Sequence, residues 1–293
     1  MTLSIVILSY NTPDLISQCI SSIKKIFLEE LEEKEIEIIV VDNGSEKENI
    51  SKLESRVSGL DYVKLVKSRQ NLGFSKGCNL GAEKSNGDFI LFLNSDTQIL
   101  DKGFLEMANY LKENSDVAIV GAKLINNDKS LQNSVGKFYG LLTFFLMLFG
   151  LERVGLTRTS PKILRKVDWV SGACLMVNKE IFNKIGKFDE NIFMYAEDME
   201  LSYRAKKLGY KTYFYPQAEV VHRQHGSSNR TFAVLNIYKG ILYFYKKHKS
   251  IPEFQIVSFF LWLKALGVYL LGRITNNNYY TNTYGQALKL FKK

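Results

Sequence analysis

Residues 88–98 read DFILFLNSDTQ. One acid opens the stretch, five apolar residues follow, and the run stops at Asn94-Ser95-Asp96. A short continuous apolar run bounded by turn residues is the pattern of a strand covered on both faces. Four similar runs surround it: LSIVILSY (3–10), EIEIIVVD (35–42), YVKLVKS (62–68) and VAIVGAKLI (117–125). Helical patterns separate them near 13–28, 47–58, 75–85 and 101–114. Thr12-Pro13 opens the first helix, with Thr in the capping position and Pro at the first helical one. This alternation predicts an α/β fold: a mostly parallel central sheet, flanking helices and right-handed crossovers. Ligands of such sheets bind beyond the carboxyl ends of the strands. The tips to inspect are Ser9-Tyr10-Asn11, Asp42-Asn43-Gly44 and Asn94-Ser95-Asp96.

The totals narrow the function. A chain of 293 residues is long enough for one large or two small domains. No G-x-x-x-x-G-K-[ST] occurs and no G-x-G-x-x-G follows the first strand, which excludes a P-loop and argues against a dinucleotide fold. Cys19, Cys78 and Cys174 are odd in number and form no CxxC, which fits a reduced, cytoplasmic chain without a zinc ribbon. The first residues, MTLSIVILSYN, lack a basic n-region and read as a strand, not a signal peptide. The net charge of +9 is uneven: residues 229–293 carry ten Lys/Arg against one acid, Glu253, while residues 1–228 hold 29 of each sign. A basic and apolar C-terminal segment points to an anionic membrane surface. No nucleic-acid motif accompanies it.

The middle is less regular. FYGLLTFFLMLFGL (138–151) holds no charge, and Arg153, Arg158, Lys162, Arg165 and Lys166 follow. It is too short to span a bilayer, which takes about 20 residues. It reads either as a buried helix or as an apolar finger resting in a membrane. Residues 167–190 read as strand, helix and turn, 195–210 as a helix ending at Gly209, and 211–228 as a strand and a polar loop. Helical patterns dominate from Arg230 onward. In 254–272 the one charge, Lys264, would cost about 2.5–3.5 kcal/mol at mid-membrane. This favours an interfacial helix, or one packed on the body or on a second copy in a homodimer.

Seven pieces stand in one order: SIVILSYN, VVDNGS, NLGFSKGCNLG, FLNSDT, VSGACLMVNKEIFNKIGKFDE, YAEDMELSYRAKKLGY and VVHRQHGSS. Together they resemble family 2 glycosyltransferases, in the bacterial rhamnosyltransferase-like branch, over about residues 3–228. The resemblance implies a GT-A fold in 1–228, with 229–293 as a helical extension. It implies inverting transfer from a nucleotide-sugar, dTDP-rhamnose or another UDP- or dTDP-sugar. The acceptor would be a saccharide or lipid-linked saccharide in surface polysaccharide synthesis, at the inner face of the cell membrane.

Roles follow from the same resemblance. Asp96 matches the metal-binding Asp, with Mg²⁺ or Mn²⁺ as the ion. Asn94 stands where many relatives carry Asp, beside Ser95, and its carbonyl can accept from a ribose hydroxyl or a metal-bound water. Such an Asn-Ser-Asp is otherwise a plain strand-end turn. Asp42 would accept from the base, with Ser9, Tyr10 and Asn11 in the same pocket; a carboxylate suits the imide N–H of uracil or thymine. Asp198 matches the general base and Glu197 an acceptor contact, although acids at a helix start also simply complement its dipole. His222 would meet the metal or the diphosphate, with His225 a weaker candidate. Trp169, with Ser171, Gly172 and Ala173, lines the sugar pocket in relatives; a core strand is the plainer reading. In NLGFSKGCNLG, Gly73, Lys76 and Asn79 would meet the sugar donor. Lys76 is equally a solvated helix residue, and Gly73, Gly77 and Gly81, four apart, serve either close packing or ligand approach. A nucleotidyltransferase of related layout carries a Gly-rich basic loop that SYNTPDL lacks. A non-catalytic membrane-bound scaffold would have no need of Asp42, Asp96, Asp198 and His222.

Overall fold

The computed structural model describes residues 2–151, 155–223 and 230–291. Arg153, the polar loop with His225, and the junction of residues 228 and 229 lie outside these described residues. The chain opens with β1 (Leu3–Ser9), α1 (Pro13–Glu32), β2 (Ile36–Asp42), α2 (Lys47–Val57), β3 (Val63–Lys67), α3 (Phe74–Glu83) and β4 (Phe89–Asn94). A short β5 (Thr97–Ile99), α4 (Gly103–Glu113) and β6 (Val117–Ile125) follow. The irregular middle forms β7 (Val135–Gly136), α5 (Leu141–Leu148), β8 (Arg158–Thr159), β9 (Arg165–Val167) and β10 (Trp169–Val170). Then come β11 (Cys174–Asn178), α6 (Lys179–Ile185), α7 (Glu197–Lys207) and β12 (Lys211–His222). Three helices end the chain: α8 (Arg230–His248), α9 (Ile251–Ile274) and α10 (Asn278–Lys289).

The main sheet has the order β3-β2-β1-β4-β11-β6-β12-β5, with β9 paired to β12. β3, β2, β1 and β4 are parallel; β11 runs against both β4 and β6, and β12 is again parallel to β6. The continuous apolar runs are explained by helices on both faces. Ile5, Ile7 and Leu91 pack with Ile16 and Ile23 of α1, whereas Val6, Ile39 and Phe92 face Cys78 of α3 and Phe182 of α6. The parallel register brings Ser9 beside Asp42 and Leu8 beside Asn94, so the expected tips end level.

Two local expectations change. Thr12 holds the N-cap position but makes no side-chain cap bond; its Oγ1 lies 3.3 Å from Ser9 Oγ instead. Helix α1 also runs past residue 28 to Glu32, with a kink at Phe27, whose ring stacks on Phe104. The glycine row of α3 proves to be a packing device. A Cβ on Gly77 would come within 2.5 Å of Leu8, and one on Gly81 within 2.3 Å of Val6, so the helix lies directly on β1.

The C-terminal helices share a core with the body: Trp169 and Met199 pack in one cluster with Tyr238, Ile241, Phe244 and Leu261. Helix α5 joins it through Phe144, which is buried, and Phe145, whose ring meets Phe260; Leu142 and Phe149 remain exposed. The finger is thus anchored on one side and open on the other. Among the described residues, Ile251–Ile274 is the one helix long and apolar enough to cross a membrane. It buries Val257, Leu261 and Ala265 and exposes Phe259, Leu263, Leu270 and Ile274.

The glycine contacts make a paired prediction. Gly81→Val should destabilise the protein by about 1–3 kcal/mol through overpacking. Gly267→Ala in α9, where a Cβ would meet nothing within 4 Å, should be neutral or stabilising by up to about 1 kcal/mol. Chemical denaturation measures both; equal effects would contradict the packing role of α3.

Candidate active site

A cleft of about 1320 Å³ opens where the strands end. Tyr10 and Thr12 enter it after β1, Asn94 at the end of β4, Ser95 and Asp96 just after it, and His222 at the end of β12. Opposite stand Trp169, Gly172, Glu197 and Asp198. Residues more than two hundred positions apart in sequence thus share one cavity.

The β4 tip meets β12 closely. His222 Nε2 lies 3.4 Å from Asp96 Oδ1 and 3.3 Å from Asn94 Nδ2. The other ring nitrogen, Nδ1, is 3.0 Å from Gln132 Oε1. Gln132 Nε2 donates to the carbonyl oxygen of His222 and to Asn126 Oδ1, so its Oε1 is left to accept from Nδ1–H. The Asn94 amide nitrogen beside Nε2 is a donor, so Nε2 faces the cleft as its acceptor and confronts the Asp96 carboxylate. Two acceptors facing each other at this distance fit a shared divalent cation. No group of three or more His, Cys, Asp or Glu gathers among the described residues. A cation would therefore draw its remaining ligands from substrate and water, as Mg²⁺ commonly does.

Asp198 and Glu197 begin α7 after an unusual turn. Tyr195 (φ 68°) and Ala196 (φ 76°) are successive non-glycine residues in the left-handed region, a strain of order 1–3 kcal/mol each. Asp198 Oδ2 accepts from Gly172 N–H at 3.0 Å, and Oδ1 from Met199 N–H at 2.7 Å. Glu197 is buried, and its Oε2 has no hydrogen-bond partner. Burial raises both carboxyls, and for Glu197 the neighbouring Asp198 charge adds to it. The Gly172 bond and the Arg158 charge pull Asp198 back down. Desolvation thus outweighs the helix N-terminus, whose field favours the charged form.

Other expected site residues have partners within the protein, whether or not they reach the cleft. Asn11 (φ 56°) accepts from Glu46 N–H and Asn49, tying the β1 tip to the β2–α2 turn. Ser9 is buried beside Thr12. Asn79 clamps the Phe188 backbone from both its amide atoms. Lys76 is exposed and pairs with Glu190 at 3.4 Å. Gly73 (φ 81°) lets α3 begin against Phe193, whose carbonyl would stand 2.5 Å from a Cβ there. Asp42 is fully buried; Oδ2 accepts from Ser45 N–H, while Oδ1 has no hydrogen-bond partner. Trp169 lays its ring on Gly136 and donates to Lys137 O. Two cleft residues escaped the sequence reading. Gln132 holds the His222 ring from an irregular stretch without a signature, and Arg158 looks like one of several basic flanking residues.

A family model, glycosyl transferase family 2, matches residues 4–186. The chain belongs to that family. This glycosyltransferase is 26% identical over 237 residues to rhamnosyltransferase WbbL of Escherichia coli, covering 78% of this chain and 85% of that one. Over 66 residues, 22% of each chain, it is 44% identical to N-acetylglucosaminyl-diphospho-decaprenol L-rhamnosyltransferase of Mycobacterium tuberculosis. The family 2 chain therefore falls in the bacterial rhamnosyltransferase-like branch. It spans only 21% and 62% of the length of two other curated relatives. Among solved structures, a mannosyltransferase from Pyrobaculum calidifontis, in complex with GDP-Man and Mn²⁺, superposes with a TM-score of 0.59 at 14% identity, over 99% of this chain and 81% of that one. The likeness shows the GT-A fold of this glycosyltransferase.

The buried Glu197 generates a pH prediction. A carboxyl raised on folding binds its proton more tightly in the native state, so stability falls as pH rises from the ordinary carboxylate range toward the raised value. Glu197→Gln should therefore gain stability over wild type as pH rises from about 5 to about 8. Thermal melts across that range test it; a pH-independent difference would rule out the raised carboxyl.

Proposed function

We propose that the protein moves a sugar, rhamnose from dTDP-rhamnose or a sugar from another UDP- or dTDP-donor, to a saccharide or lipid-linked acceptor with inversion. The observation that carries this reading is the pairing, across one cleft, of an acceptor-lined cation seat with a raised carboxylate held by a backbone N–H. Asp96 and His222 would hold a Mg²⁺ or Mn²⁺ ion, with Asn94 orienting His222. Bound there, the ion supplies Lewis-acid neutralisation of the leaving diphosphate. Asp198 takes the acceptor hydroxyl proton as that oxygen attacks the anomeric carbon and the nucleoside diphosphate departs. The Gly172 N–H aims its carboxylate, and burial keeps it basic enough for the task. Glu197 beside it contacts the acceptor. Asp42 would accept from an imide N–H of uracil or thymine; its Oδ1 has no donor, and it lies just behind Asn43, which lines the cleft. The rhamnosyltransferase-like relatives, and the diphospho-decaprenol in one relative's name, support the sugar and the lipid-linked acceptor.

Calorimetry with UDP and dTDP, with and without Mg²⁺ or Mn²⁺, tests the sugar-donor side. Metal affinity should be weak alone and rise with nucleotide diphosphate; absence of nucleotide binding would sink the reading. Asp198→Asn should reduce transfer about 10²–10⁴-fold and leave nucleotide affinity unchanged. Full transfer activity in that variant would remove Asp198 as the base.

The exposed apolar residues of α5 and α9, with the basic C-terminal segment, support a peripheral site on the inner face of the cell membrane. Because α8 packs at the active site, point variants are a cleaner probe than truncation. Phe259→Glu with Leu263→Glu should lower sedimentation with anionic vesicles several-fold while nucleotide binding persists. Unchanged sedimentation would dismiss the membrane reading.

A further inference from the structure

The small sheet β10-β7-β8 aligns three residues in one cross-strand row: Trp169 opposite Gly136, and Gly136 opposite Arg158. Residues in such a row share a face. Gly136 carries no side chain, and a Cβ there would lie 2.2 Å from the indole. The Trp169 ring therefore fills the glycine's place, and Arg158 reaches across the row to set its guanidinium over that ring, 5.0 Å from the centroid. The stack holds the planar fork in one orientation. Both side chains line the cleft that holds Asp198. Arg158 Nε is buried with no hydrogen-bond partner among the described residues, an uncommon and costly state for a guanidinium N–H.

Arg158 is not at the strand tips where Asp96 and His222 meet. It belongs to the opposite wall, next to Asp198, where its charge opposes the upward push of burial on that carboxyl. The cleft is also lined by apolar side chains of α5, α8 and α9, Phe144, Met147, Leu148, Ile237, Ile241 and Leu261, with Lys264 among them donating to Leu148 O. The helices that supply this lining also carry exposed apolar residues, Leu142 on α5 and Phe259 on α9, and Phe145 of α5 meets Phe260 of α9. An anion seat backed by an apolar wall describes an amphipathic ligand with a phosphate between a polar head and a hydrocarbon chain.

We propose that Arg158, stacked on Trp169 across Gly136, is the phosphate seat for a lipid-diphosphate acceptor, whose sugar hydroxyl then faces Asp198 and whose chain runs along the apolar wall. The seat follows from the geometry, and its assignment to the acceptor rests on the glycosyl-transfer reading. A neutral saccharide offers no anion to the guanidinium, and the seat therefore discriminates against it.

The test uses the full chain with UDP or dTDP saturating the nucleotide site, and farnesyl diphosphate, inorganic pyrophosphate and farnesol as probes. Calorimetry should find farnesyl diphosphate the tightest of the three. Arg158→Gln should weaken it about 10- to 100-fold, the range for losing a hydrogen-bonded charge partner, with nucleotide affinity unchanged. Arg158→Lys, which keeps the charge and loses the planar stack, should fall between, and its folding can be checked by the same melts. An Arg158→Gln affinity equal to wild type overturns the proposal. So does a parallel loss of nucleotide affinity, which would place Arg158 on the sugar donor, or pyrophosphate binding as tightly as farnesyl diphosphate. Farnesyl diphosphate bound through Arg158 by a chain that binds neither nucleotide would uphold the seat and sink the glycosyl-transfer reading.

Discussion

The buried Glu200 carboxylate joins the α/β body to the C-terminal helices. It is fully shielded from water and accepts from Arg204 on its own helix and from Lys247 and His248 of α8. Burial alone would raise its pKa, but these hydrogen bonds and charges outweigh burial and hold it down to about 2. Arg204 also donates to the backbone carbonyls of Ile185 and Lys187, and Lys247 and Tyr243 reach Asp189. Three segments are thus locked around one negative charge. Removing one partner of such a network leaves a charge uncompensated, at a cost of about 3–5 kcal/mol.

That lock bears on the candidate site because α7 begins with Glu197 and Asp198. With α8 fixed on α7, Gly240 can press against the Tyr195 carbonyl, where a Cβ would stand 2.8 Å away. The left-handed pair Tyr195-Ala196 is held from that side, and the two acids enter the cleft from a braced turn. Glu197 and Glu200 lie three residues apart, both buried, yet their carboxyls shift in opposite directions. One meets cations and the other meets a neighbouring carboxylate, so partners decide the sign where burial is shared.

The cleft divides by chemistry. Its strand-tip wall is polar and converges on the His222–Asp96 pair. Its far wall comes from the irregular middle and the C-terminal helices and sets Arg158 and Lys264 among apolar side chains. The segment that first reads as a basic appendage therefore supplies part of the cavity itself. The Asn in place of a second carboxylate at the β4 tip also finds its use there: Asn94 donates toward His222 Nε2, which a carboxylate cannot do.

Much of the fold was legible from residues 3–125, because strands buried on both faces leave unbroken apolar runs and helix starts leave local signals. The FILFLN strand, the level tips at Asp42 and Asn94, and the existence of α7 are of this kind, although α7 starts at Glu197 and not at 195 because Tyr195 and Ala196 are left-handed. The reversed β11 between β4 and β6 was not, since periodicity carries no strand direction. Nor were the engagements of Asn11 and Asn79, which look like ligand-facing polar residues until their partners at Glu46 and Phe188 are in place. Sequence alone determined the α/β alternation, the family motifs and which carboxylates stand at strand and helix ends. Tertiary structure alone decided which of them reach the cleft, which are raised or lowered, and that Arg158 lies on Trp169. The physical reason is that burial, pKa and hydrogen-bond partnership belong to neighbours distant in sequence, and no local pattern records them.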